Sequence, residues 1–172
     1  MSLNQIEPKA FTDDDNDNST TIFTPPQTII ADFLEAPARS AVPWAGSTFI
    51  IRCMSTHKVL TLVGGRIMLA PRGGGAGTIR WECVENHGWL GFRDPATHLF
   101  LGHSDHDMCC RAPHHDEWER FIAQATPDGG YVLSMPHWWK LCPVGLRGDQ
   151  LVKYADGSLY SGVVWQFEKV GA

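Results

Sequence analysis

The chain predicts an all-β domain built from a threefold internal repeat, and three observations carry that prediction. Three stretches close on a tryptophan: Trp81-Glu-Cys-Val84, Trp118-Glu-Arg-Phe-Ile122 and Trp165-Gln-Phe-Glu-Lys-Val170. Upstream of each lies a short apolar stretch ending in leucine, His57-Lys-Val-Leu60, His98-Leu-Phe-Leu101 and Trp138-Trp-Lys-Leu141, with leucine and tryptophan 21, 17 and 24 residues apart. From Thr48 onward, short β-branched and aromatic runs are punctuated by glycine, proline, asparagine and aspartate. One such unit cannot bury its own apolar face, so repetition at this length is an architectural statement. The repeat predicts Trp81, Trp118 and Trp165 as matching core residues, with Leu60, Leu101 and Leu141 in matching places before them.

The elements follow in order. Residues 1–46 form an acidic N-terminal arm, with Asp-Asp-Asp-Asn-Asp-Asn at its centre. Residues 1–24, polar and low in large aliphatics, cannot bury enough apolar surface to order themselves. Within Thr28 to Glu35, the i,i+4 pairs Ile29/Phe33 and Ile30/Leu34 predict one or two helical turns, bounded by Pro37. The apolar side of this arm could dock on the body. The body is residues 47–172. Its first unit predicts strands at Thr48–Met54, Val59–Val63, Arg66–Ala70 and Thr78–Val84, with Gly64-Gly65 as a two-residue hairpin turn. The second predicts Trp89–Arg93, His98–Leu101, Met108–Arg111 and Glu117–Ile122. The third predicts Tyr131–Ser134, Trp138–Leu141, Leu151–Tyr154 and Val163–Phe167.

Charge and composition narrow the function classes. The net charge of −5 resides in the arm, where seven acids face two bases; the rest of the chain has twelve of each and all eight histidines. A neutral body without a basic stripe argues against nucleic acid. No run is long and apolar enough to cross a bilayer. The start of the chain has no basic n-region or apolar h-region, so no secretory signal is expected. Five cysteines, two of them adjacent, suggest no disulfide framework and predict a reducing, cytoplasmic setting.

Four strands repeated three times, with tryptophan closing the fourth, resemble a β-trefoil. The specific resemblance is to the fascin-like group, on Leu60/Trp81, Leu101/Trp118/Phe121 and Leu141/Trp165. It covers roughly residues 48–170. The resemblance implies recognition rather than catalysis: a single-trefoil lectin of the fungal type, or an actin-binding adaptor that needs a second site or a partner copy to crosslink filaments. The Gln-x-Trp signature of ricin-like lectins is missing before Trp81, Trp118 and Trp165, so their sugar site does not carry over residue by residue.

Two groups of residues are candidates for a site. His137-Trp138-Trp139 is the densest aromatic run, and Trp89 and Trp44 are similar. Strand alternation would send one of Trp138 and Trp139 into the core and the other to solvent, where an indole can stack on a sugar or anchor a partner. The bland alternative is an indole covered by the N-terminal arm. The second group is His103, His106, Cys109 and His114, zinc-competent donors with lax spacing. The bland alternative there is a polar hairpin with Met108 and Cys110 packed inward.

No nucleophile elbow is present, and Pro71 to Gly77 lacks the lysine and following helix of a phosphate loop. Arg147-Gly148-Asp149 reads as a turn. The expectation is a non-enzymatic module that binds a glycan or protein through its loops, with no cofactor. The rivals are an enzyme or zinc protein using the second unit, and a cytoskeletal adaptor.

Overall fold

Twelve short strands account for most of the described chain. The computed structural model describes residues 40–75, 77–105, 107–155 and 162–171. The chain divides into two compact units, Met1–Glu35 and Ala36–Ala172. All described residues belong to the second, so the expected helical turns at 28–35 lie outside them. The first four strands are β1 (Thr48–Cys53), β2 (Val59–Val63), β3 (Arg66–Ala70) and β4 (Arg80–Asn86). Next come β5 (Trp89–Arg93), β6 (Phe100–Ser104), β7 (Asp107–Ala112) and β8 (Ile122–Ala125). The last are β9 (Tyr131–His137), β10 (Lys140–Arg147), β11 (Gln150–Lys153) and β12 (Val164–Lys169).

Six strands close a ring. β1 pairs with β4, β4 with β5, β8 with β9, β9 with β12 and β12 with β1. A bridge between Leu90 and Phe121 joins β5 to the start of β8. Full closure removes the open edges that would otherwise invite aggregation. The other six strands form the hairpins β2–β3, β6–β7 and β10–β11. These touch one another at Arg66/Cys109 and at Val152/Asp107. A closed ring joined to three hairpins, the middle one paired with both others, is the β-trefoil arrangement. Gly64 and Gly65 make the first hairpin turn, both at positive φ, where glycine carries no Cβ penalty.

The core is aromatic and gathers residues from all three units. Phe49, Phe92 and Tyr131 each lie within 5.7 Å of the Phe167 ring, centroid to centroid. Trp81 is fully buried, and its indole N–H donates to the Leu60 carbonyl at 3.1 Å. Residues 40–46 run along the ring, with Ala41 N donating to Phe167 O and Gly46 N to Cys83 O. All five cysteines are free thiols. No described helix is long and apolar enough to cross a membrane.

The structure corrects three expectations. Trp118 is not a core residue: its side chain is 57% exposed, and Phe121 is fully buried instead. The residue opposite the start of each first strand decides this. Phe49 faces Trp81, Leu90 faces Phe121 and Tyr131 faces Trp165. The three residues Glu117–Glu119 wind a 3-10 turn before β8, so the expected strand 117–122 begins too early and the indole turns outward. Likewise Leu141 does not match Leu60 and Leu101; Val144 does. Leu60 pairs with Leu69, Leu101 with Cys110 and Val144 with Lys153, each four residues before its hairpin turn. The β9–β10 hairpin is longer than its counterparts, which shifts the register. Finally, neither Trp138 nor Trp139 enters the core. They form the tip of that longer hairpin, 84% and 90% exposed, with Trp138 at φ 56°. Strand alternation does not apply to turn residues, so both indoles reach solvent.

Candidate functional site

The extended β9–β10 hairpin, the 3-10 turn and the β6 and β11 strands enclose an open cleft of about 750 Å³. Three indoles face it: Trp89 from the start of β5, Trp118 from the 3-10 turn and Trp138 from the hairpin tip. Each is placed by a local feature of the chain. Trp118 sits on the 3-10 turn, whose Glu119 backbone N–H donates to Asp116 O. Asp116 N in turn donates to the Glu119 carboxylate at 3.2 Å. The turn rests directly on the β6 backbone because residue 102 is glycine. A Cβ there would lie 2.7 Å from Glu119 Oε1 and 2.8 Å from Trp118 O. Trp118 then stacks on His103 at 5.5 Å between centroids. Arg120 lies over Trp89, its Cζ 6.0 Å from the ring centroid, within the range of a cation–π contact.

Beneath the indoles lies a buried amine. Lys153 is only 2% exposed and occupies the place that Leu69 and Cys110 hold in the other two hairpins. Its Nζ is 2.8 Å from His103 Nε2 and 3.3 Å from His137 Nδ1. Each imidazole thus presents a ring nitrogen to the amine. Burial pushes the Lys153 ammonium below the usual lysine range, and the nearby Cys142 and Asp105 oppose that shift. Burial also raises the Glu119 carboxyl. The acids of the cleft, Asp105 and Glu117, are exposed. The cleft therefore combines flat apolar faces, hydrogen-bonding groups of both kinds and a polar floor.

The expected site residues distribute as follows. His137, Trp138 and Trp89 converge on the cleft, whereas Trp139, its ring 6.5 Å from that of Trp138, does not line it. His103 joins them on the floor rather than a metal set. Cys109 lies on the opposite face of the same hairpin, since His103 pairs with Met108 and Gly102 with Cys109. His114 is exposed and its neighbour His115 is buried, while His106 lies outside the described residues. Among the described residues no three histidine, cysteine, aspartate or glutamate side chains converge to hold a metal. Met108 and Cys110 pack inward, as the polar-hairpin alternative requires. Trp44 is exposed beside Val42 and Pro43, away from the cleft.

Sequence reasoning missed Trp118, Lys153, Arg120, Asp105 and Glu117 as cleft residues. Alignment of the hairpins by their turns exposes Lys153 as the charged member of an otherwise apolar set. A larger depression of about 910 Å³ lies where the three hairpins meet, lined by arginines and aspartates of their tips. It contains no indole and no buried charged group, so the smaller cleft is the better-built site.

The cleft sets an indole-lined surface on this trefoil-like fold, and solved structures share the fold. One is SeviL bound to asialo-GM1 saccharide, at a TM-score of 0.59 and 12% identity, covering 73% of this chain and 98% of that one. Another is the GlcNAcα1-4Gal releasing endo-β-galactosidase from Clostridium perfringens, at 0.60 and 14%, covering 73% of this chain. A third is the GH43 β-1,3-galactosidase BT0265, at 0.59 and 13%, covering 75% of this chain. The present chain spans only 33% and 28% of those two enzymes. Identities this low establish a shared fold. No protein-family model matches the chain, and no curated protein matches it.

Proposed function

We propose that this protein is a non-enzymatic glycan-binding module whose site is the cleft between the 3-10 turn and the β9–β10 hairpin. The observation that carries the reading is the convergence of Trp89, Trp118 and Trp138 on one open cleft with a polar floor. Exposed indoles are rarely clustered without a partner. The apolar face of a pyranose stacks on such rings, while its hydroxyls require the donors and acceptors that Asp105, Glu117, His103 and His137 supply. The structural likeness to SeviL, described as bound to a saccharide, supports the same reading. A glycan array tests it. The native chain should bind a defined glycan subset, and Trp118→Ala and Trp138→Ala should each weaken binding at least tenfold, in line with alanine losses at buried aromatic anchors. Absence of binding across the array, or binding untouched by both substitutions, would remove the proposal.

A further inference from the structure

We infer that the glycan taken by this cleft carries a single acidic group, a carboxylate or a sulfate, seated against Lys153; this rests on the glycan-binding reading above. Lys153 brings a primary amine to the floor of an indole-lined cleft, at a position where the other two hairpins place Leu69 and Cys110. Among the described residues, no carboxylate lies within ion-pair distance of its Nζ; the ion pairs are Arg52 and Arg72 with Glu168, Lys58 with Asp149, and Arg93 with Glu82. Its near neighbours are the imidazoles of His103 and His137. A buried amine whose nearest described carboxylate, Asp105, acts on it only through space is costly to hold charged, and an anion seated directly against it offsets that cost. Burial also favours the neutral amine, so an arriving acid group would restore its proton. Arg120, half-buried over Trp89, is likewise outside every ion pair of the described residues and adds a second cation to the lining.

The position of the acids limits how much negative charge the ligand brings. Asp105 and Glu117 stand exposed in the lining, where they accept hydrogen bonds from hydroxyls and repel further anionic groups. The body as a whole balances twelve acids with twelve bases. A polyanion would meet no basic track on it, whereas one acidic sugar in an otherwise neutral chain meets a cation at the floor and leaves its hydroxyls to Asp105 and Glu117.

The test uses an array that prints each neutral glycan beside its sialylated and its sulfated counterpart, followed by calorimetric titration of the best pair. The expected result is that the tightest ligand is the singly acidic member, that it exceeds its neutral parent by roughly tenfold or more, and that Lys153→Met removes the difference between the paired ligands. The sialylated and sulfated arms identify which acid fits. A thermal melt confirms that Lys153→Met folds, and the contrast between paired ligands on the native protein stands without the variant. If neutral members bind as tightly as every acidic counterpart, the acidic seat is overturned and glycan binding stands. If an acidic preference survives Lys153→Met, the seat is not at Lys153. If nothing on the array binds, the glycan reading itself falls, and this inference with it.

Discussion

Gly102→Ala should damage the site from beneath without touching any group that meets a ligand. Gly102 lies in β6 between Leu101 and His103, and the 3-10 turn rests on it. An added methyl would stand 2.8 Å from the Trp118 carbonyl oxygen and 2.7 Å from Glu119 Oε1. The carboxylate can swing aside, but the carbonyl is backbone and must move with the whole turn. Restoring ordinary contact requires a displacement of about 0.6 Å, and overpacking of this kind costs roughly 1–3 kcal/mol. For a chain of this size, that lowers the melting temperature by about 2–12 °C. The same displacement lifts Trp118 from its stack on His103, so glycan affinity should fall as well. Gly65→Ala is the control. It sits at φ 79° with nothing within 4 Å of the added methyl, so it carries local backbone strain and leaves the cleft intact. Calorimetric melting and glycan titration of both variants decide the matter. If Gly102→Ala melts within about 1 °C of the native chain and binds as tightly, the turn is not seated on β6, and the account of how Trp118 is placed is wrong.

Two further outcomes follow from the buried polar groups. His115 is buried, its Nε2 lies 3.2 Å from Leu90 O, and desolvation holds its pKa below the ordinary histidine value despite that carbonyl. The folded state therefore resists protonation that the unfolded state accepts. Its contribution is present above the unfolded pKa of about 6.5 and is lost as the pH falls. Urea titrations at pH 7.5, 6.5 and 5.5 should show declining stability, with a smaller decline in His115→Gln; an equal slope in the variant contradicts the assignment. The second concerns the two core tryptophans. Trp81 donates its indole N–H to Leu60 O, whereas the buried Trp165 indole N–H has no partner among the described residues. Trp81→Phe should thus cost roughly 1 kcal/mol more than Trp165→Phe, and denaturant midpoints that reverse this order would refute it.

Much of the fold could be read from the chain because short-range signals were strong. β1, β2, β3 and β5 fall where β-branched runs and the Gly64-Gly65 turn place them, since local propensity and tertiary packing agree there. The third unit was harder. Trp138-Trp-Lys-Leu141 imitates the apolar run before Leu60, yet the hairpin is longer and the matching core residue is Val144. Trp118 misled for a related reason. A large apolar side chain near the expected closing position resembles a core residue, and only the pairing of Phe121 with Leu90 shows which of the two is buried. The cleft was half legible. Trp89, His137 and Trp138 stood out as aromatic residues, but the partnership of His103 with Lys153 joins positions 50 residues apart on two hairpins. No local pattern encodes such a meeting; it exists only once the hairpins pack together.

Under the proposed function, Trp89, Trp118 and Trp138 jointly contact one saccharide. Seven indole N–H resonances from the seven tryptophans report on this directly during titration of the nitrogen-15-labelled protein with its array-selected glycan. Shifts should concentrate in the signals of Trp89, Trp118 and Trp138, with those of the buried Trp81 and Trp165 held still. Saturable binding that moves Trp44 or Trp139 while leaving those three unchanged would contradict it.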